Sequence, residues 1–108
     1  MTKAYEDRYC TAADGLRLYY RDYAGPSDSV PALCLAGLTR NSRDFAALAE
    51  WLSGERRVIC AEFRGRGNSE YDPDWKNYHP AQYAKDTWGL LDELAMDRVV
   101  LIGTSLGG

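Results

Sequence analysis

The 108-residue chain carries 13 Lys and Arg against 16 Asp and Glu, a formal net charge of -3, and is 45% hydrophobic and 12% aromatic. That is the make-up of a globular chain rather than a disordered one, and charges of both signs scattered along it argue against a nucleic-acid footprint or a polybasic membrane patch. No apolar run approaches the roughly 20 residues that cross a bilayer, and Met1 to Arg8 lacks the apolar core of a secretory signal, so a cytoplasmic protein is expected.

Tyr5 to Thr11 alternates weakly as a strand, Asp14-Gly15 is a turn signal, and Leu16 to Tyr23 forms a second strand with Leu16, Leu18 and Tyr20 on one face. Together they predict a hairpin. After the breaker cluster Gly25-Pro26-Ser27-Asp28, the run Ala32 to Ala36 is apolar on both faces, as an inner strand covered on two sides requires. Asn41 or Ser42 then caps a helix whose apolar stripe is Phe45, Leu48, Ala49 and Leu52, with Gly54 as its terminator.

Val58 to Ala61 is the next short inner strand, followed by a polar and aromatic loop from Glu62 to about His79. Pro80 suits the first turn of a second helix, on which Ala84, Trp88, Leu91 and Ala95 recur at helical spacing. Arg98 leads into a last strand, Val99-Val100-Leu101-Ile102. There is no internal repeat, low-complexity tract or linker, so residues 1–108 read as part of one domain.

Cys10, Cys34 and Cys60 each fall in a predicted strand and none has a neighbour at metal-ligand spacing, which fits buried free thiols in a reducing compartment. Strands alternating with helices after an opening hairpin imply an α/β architecture with a largely parallel sheet, whose ligands gather at the carboxyl ends of the strands. Three loops meet those ends: Gly37 to Asn41, Glu62 to Ser69, and the terminal Gly103-Thr104-Ser105-Leu106-Gly107-Gly108.

That terminal segment is a GxSxG signature directly behind an apolar, mostly β-branched strand. In this setting the serine sits on a strand-to-helix turn so tight that side chains at the flanking glycines would strike neighbouring backbone, and its hydroxyl is presented as a nucleophile. Four features in order carry a wider resemblance: Leu35-Ala36-Gly37-Leu38, Phe63-Arg64-Gly65-Arg66-Gly67-Asn68-Ser69, the helix from Tyr83 to Met96, and the terminal GTSLGG. The chain resembles the N-terminal half of an α/β-hydrolase, from the first hairpin to the nucleophile elbow.

The resemblance implies that Ser105 attacks an acyl carbon while backbone N–H groups of Leu106 and Leu38 bind the oxyanion. Fixed backbone donors suit that role because they need no reorganisation as charge develops. Serine in place of aspartate at the elbow disfavours the dehalogenase and epoxide-hydrolase chemistries of the superfamily. Many relatives have a histidine where this chain has Ala36, a departure that bears on the loop and leaves the nucleophile unchanged.

In this family the acid and histidine follow the nucleophile in chain order. They are therefore expected beyond Gly108, and residues 1–108 alone are expected to be inactive. His79, upstream and beside Pro80, reads as a helix-entry or loop residue rather than as the base. Arg64 and Arg66 read as solvated or paired with carboxylates such as Glu62.

The expected activity is that of a serine hydrolase acting on a carboxylic ester, thioester or related small-molecule acyl compound. The alternatives are acyl transfer, or a non-catalytic ligand-binding or interaction module with a relic serine. No metal, nucleotide or flavin is implied, since there is no ligand cluster and Gly65-Arg66-Gly67 lacks the third glycine of a dinucleotide loop. Tyr71, Trp75 and Tyr78 are the local aromatics available to line an apolar pocket. The last strand is expected at one side of the sheet with an open edge, which makes the isolated chain prone to self-association.

Overall fold

A computed structural model describes residues 4–26, 28–35 and 45–103. It contains strands β1 (Glu6–Thr11), β2 (Arg17–Tyr23) and β3 (Ala32–Leu35), helix α1 (Ala46–Leu52), strand β4 (Val58–Ala61), helix α2 (Pro80–Glu93) and strand β5 (Val100–Gly103), with a 3₁₀ turn at Trp75–Asn77 ahead of α2. The order across the sheet is β1-β2-β4-β3-β5.

β1 and β2 form the expected antiparallel hairpin, in register from Glu6 opposite Asp22 to Thr11 opposite Arg17. Its turn closes through Gly15, whose φ of 91° lies in the left-handed region open to glycine. Asp14 Oδ1 accepts the Leu16 N–H within that turn. β2 then pairs antiparallel with β4, while β3 lies parallel between β4 and β5.

The strand order fixes where the helices go. The crossover through α1 moves from β3 to β4, and the crossover through α2 moves back past β3 to β5. Right-handed connections running in opposite directions put their helices on opposite faces of the sheet. Strand parity agrees. Leu33, Leu35, Ile59, Leu18 and Tyr20 pack with Leu90 and Leu91 of α2, whereas Ala32, Cys34, Val58, Cys60 and Tyr23 pack with Phe45 and Ala49. β3 is thus buried on both faces along its whole length. Burying a side chain such as Leu33 or Ile59 is worth about 2 kcal/mol.

Both helices depart from their expected apolar stripes. On α1, Phe45, Ala49 and Leu52 face the sheet while Leu48 is exposed, and Gly54 follows without a left-handed φ. Asn41 and Ser42 lie outside the described residues. On α2 the buried positions are Tyr83, Asp86, Leu90 and Leu91, whereas Ala84 is exposed and Trp88 is 67% exposed.

Ala95 lies beyond α2, not on it. It takes a φ of 55°, and the bonds Met96 N–H to Leu91 O (2.9 Å) and Ala95 N–H to Asp92 O (3.1 Å) close the helix in a Schellman motif. β5 lies at one edge of the described sheet and β1 at the other, and Val100 and Leu101 of β5 are exposed. No helix among the described residues is long and apolar enough to cross a membrane.

Candidate active site

The three parallel strands end on one line. Leu35 is in register with Ala61 on one side and with Gly103 on the other. Three chain segments therefore leave the same edge: residues 36–44 after β3, the loop from Glu62 after β4, and residues 104–108 after β5. Ser105, Leu106 and Leu38 lie outside the described residues. Their described anchors, Gly103 and Leu35, face one another across a single interstrand gap, roughly 4.8 Å in a β-sheet.

The loop after β4 is described in full and is built on hydrogen bonds. Glu62 N–H donates to Tyr19 O at 3.0 Å, and the Ser69 hydroxyl bridges the Glu62 carbonyl and the Tyr19 N–H at 2.8 Å each. Glu70 extends the pairing along β2, donating its N–H to Arg17 O at 2.9 Å and accepting the Arg17 N–H at 2.6 Å. Gly65 and Gly67 both have positive φ, 73° and 52°. A Cβ at Gly65 would strike the Tyr78 ring and one at Gly67 the Glu62 carboxylate, itself held by the Asn68 N–H. These are positions that only glycine fits.

Arg64 is fully buried at the centre of this loop. Its guanidinium makes a two-point bond to Asp86 of α2 at 2.7 and 2.6 Å, and reaches Asp72 at 2.7 Å and Asp14 of the hairpin turn at 2.8 Å. Asp86 also accepts from Gln82, and Asp72 from the Asp74 N–H and the Asn77 amide. The bonds to Asp86 raise the Arg64 pKa further, so it stays charged. Arg64 holds Asp14 below the ordinary carboxylate value, and the Asp74 N–H, with Asn77 and then Arg64, does the same for Asp72.

Arg64 is thus paired, not solvated, and its partners are Asp14, Asp72 and Asp86 rather than Glu62. Sequence reasoning missed them because they stand 50, 8 and 22 positions away. The guanidinium clamps three separate elements together. Arg66 lies over the Tyr78 ring, 6.0 Å from its centroid.

His79 occupies the N-cap of α2, its Nδ1 accepting the Gln82 N–H at 3.4 Å. It is a capping residue at the helix start, as its place before Pro80 implies. Tyr71 and Trp75 are exposed and Tyr78 is engaged with Asp72, so none of the three lines the apolar groove. That groove, about 300 Å³, runs between α2 and the β3–β5 side of the sheet, over Leu33, Leu35, Phe63, Tyr83, Trp88 and Leu101. The stacked Phe63 and Tyr83 rings, 4.7 Å apart, form part of its wall. Cys10, Cys34 and Cys60 are free and buried, and no metal-binding group of acids, histidines and cysteines occurs among the described residues.

An open α/β sheet with an antiparallel lead-in, helices on both faces and three parallel strands ending in register at its carboxyl edge is the architecture on which ligand and catalytic sites are built. The alpha/beta hydrolase fold model matches residues 31–108, and the chain belongs to that family. A crystal structure of an alpha/beta hydrolase from Novosphingobium aromaticivorans is 52% identical, with a TM-score of 0.96, over 99% of this chain and 38% of that one. A 3-hydroxybutyrate-oligomer hydrolase from Cupriavidus necator is 38% identical over 92% of this chain and 34% of its own length. A serine hydrolase-like protein from Danio rerio is 36% identical over 78% of this chain and 26% of its own. The chain thus spans about a quarter to a third of the curated relatives it matches.

Proposed function

We propose that the chain carries the nucleophile and oxyanion half of a serine hydrolase that cleaves a carboxylic ester, thioester or related acyl bond through an acyl-enzyme. The observation that carries this reading is the shared register of Leu35 and Gly103 at the ends of neighbouring parallel strands. Ser105 and Leu106 follow Gly103 by two and three residues, and Leu38 follows Leu35 by three. A nucleophile on one strand end and a backbone donor on the next are within reach of a single carbonyl group.

In this reading Ser105 Oγ attacks the carbonyl carbon. The N–H groups of Leu106 and Leu38 donate to the oxygen as it becomes negative, and the leaving alcohol or thiol departs from the tetrahedral intermediate. The general base and its acid are supplied by chain beyond Gly108, consistent with relatives about three times as long. The oligoester named for the Cupriavidus relative is a substrate of this bond class, and the Danio relative's name carries the same nucleophile. A small-molecule acyl substrate in the cytoplasm is the setting proposed.

The test is fluorophosphonate labelling of the full-length protein followed by peptide mapping. The adduct is expected on Ser105, and Ser105→Ala should lower kcat on an activated ester by about 10⁴-fold or more. An adduct on any other residue, or turnover that survives Ser105→Ala, refutes the proposal.

A further inference from the structure

On the α1 face of the sheet, three polar or thiol-bearing residues lie in one row across three strands. Arg21 of β2 is in register with Cys60 of β4, and Cys60 is in register with Cys34 of β3. Directly paired residues on neighbouring strands project to the same face, about 5 Å apart. Both thiols are fully buried among Tyr23, Ala32, Phe45, Ala49 and Val58. Cys10 sits in the cluster on the opposite face with Leu18 and Leu90, so it is an isolated thiol in the same molecule.

Arg21 is also buried, and among the described residues its Nε has no hydrogen-bond partner. Its guanidinium lies 4.1 Å from the Tyr5 ring centroid and donates a long 3.4 Å bond to the Tyr23 hydroxyl. A buried cation with an unused donor on the strand beside Cys60 favours negative charge on that sulfur. We propose that Cys34 and Cys60, backed by Arg21, form a dithiol site for a thiophilic ligand of the trivalent arsenical class, which bridges both sulfurs.

The geometry suits a bridging atom. The two thiols leave directly paired positions of neighbouring parallel strands on the same face, so a single arsenic can reach both without moving either strand. The neighbouring Cys34 and then burial raise the Cys60 thiol, and Cys60 lowers that of Cys34, so Cys34 is the first sulfur to attack, whereas burial pushes isolated Cys10 up to about 11. With phenylarsine oxide, both S–H bonds and the arsenic–oxygen bond break, and two As–S bonds form. The oxygen leaves as water with both protons, and arsenic stays trivalent, so no oxidant is needed. Because both sulfurs are buried, capture proceeds on transient opening of the short α1 cover.

The experiment incubates the folded full chain with phenylarsine oxide and reads the product by intact mass and peptide mapping. One phenylarsenic per chain is expected, joining the peptides that contain Cys34 and Cys60. It should resist a monothiol wash and be released by ethanedithiol. Cys10→Ala should leave uptake within about twofold, and Cys60→Ala should reduce retention through the wash by about tenfold or more, because a second sulfur on the same scaffold acts at high effective concentration. No uptake by the folded chain, a bridge that includes Cys10, or equal retention by Cys60→Ala overturns the proposal. The peptide linkage in the unsubstituted chain decides the matter even where a cysteine variant fails to fold.

Discussion

Replacing Arg64 with methionine keeps most of the side-chain length and removes the charge. The structure defines what is lost: a two-point bond to Asp86 between two buried groups, a bond to Asp72, and a bond to the half-exposed Asp14. Asp14 regains water and contributes little, but Asp86 is left as a buried carboxylate whose remaining described partner is Gln82. Removing one member of a buried pair costs about 3–5 kcal/mol, most of it the stranded charge. Against a total stability of about 5–15 kcal/mol for a domain, and a urea m-value of about 1–3 kcal/mol/M, the midpoint should fall by at least about 1 M. The companion Arg64→Met/Asp86→Leu removes the stranded charge as well and should recover about 1–3 kcal/mol. Equilibrium urea unfolding followed by circular dichroism measures both. A midpoint for Arg64→Met within about 0.3 M of the parent, or a double variant no better than the single, would refute the account of Arg64 as a buried clamp.

The same cluster sets the response to acid. Folded-state pKa values of Asp14 and Asp72 lie below the ordinary 3.8, so their pairing is fully present above about pH 4 and is lost as pH falls through the depressed values. Far-UV circular dichroism should stay level down to about pH 4 and decline below it, and an onset above about pH 5 contradicts the assignment. Ala95→Gly relieves a left-handed alanine at the helix end and should raise stability by about 0.5 kcal/mol, net of the extra freedom glycine has when unfolded. A lower melting temperature would argue against the Schellman closure. His79→Ala deletes one weak cap and should cost about 0.5–1 kcal/mol while leaving ester turnover of the full-length protein within about twofold. A hundredfold loss of turnover would move this ring into the chemistry.

The strands were legible in the sequence and the helix faces were not, for the same reason. A strand buried on both sides, such as Ala32–Leu35 or Val58–Ala61, is a short run apolar at every position, a pattern the helices lack. Apolar periodicity misplaces α2 because one of its buried positions is Asp86, a charge admitted to the core by a partner 22 residues away. Hydrophobicity ranks Trp88 above Asp86, and the fold inverts them. Leu48 fails on α1 because a seven-residue helix needs only one narrow contact stripe, here Phe45, Ala49 and Leu52. The glycines at 65 and 67 were legible as a tight turn, but not what occupies the space they leave, since the Tyr78 ring and the Glu62 carboxylate arrive from elsewhere in the loop. For the proposed site, the motif names Ser105, and the register adds that Gly103 and Leu35, which precede Ser105 and Leu38, are neighbours.

The proposed reactive edge rests on the ends of parallel strands, which their ladders fix, and a segment leaving such an edge needs bonds of its own. Apolar packing alone would let such a loop slide, because contacts between methyl groups are nearly as good after a small shift. Directional bonds penalise that shift. In this chain the loop after β4 is held to β2 by the Ser69 hydroxyl and by Glu70, whose N–H donates to Arg17 O and whose carboxylate accepts the Arg17 N–H, and to the hairpin turn and α2 by one guanidinium. The bonds to Tyr19, Arg17, Asp14 and Asp86 end on a strand, a closed turn or a helix. The loop therefore inherits the rigidity of the sheet at the edge where Leu35 and Gly103 end, and catalytic groups held to within about 0.5 Å need such support. The cost is a buried charge cluster that is stable only while all its members are present, which is why the largest effects are expected from Arg64, a residue with no part in bond making.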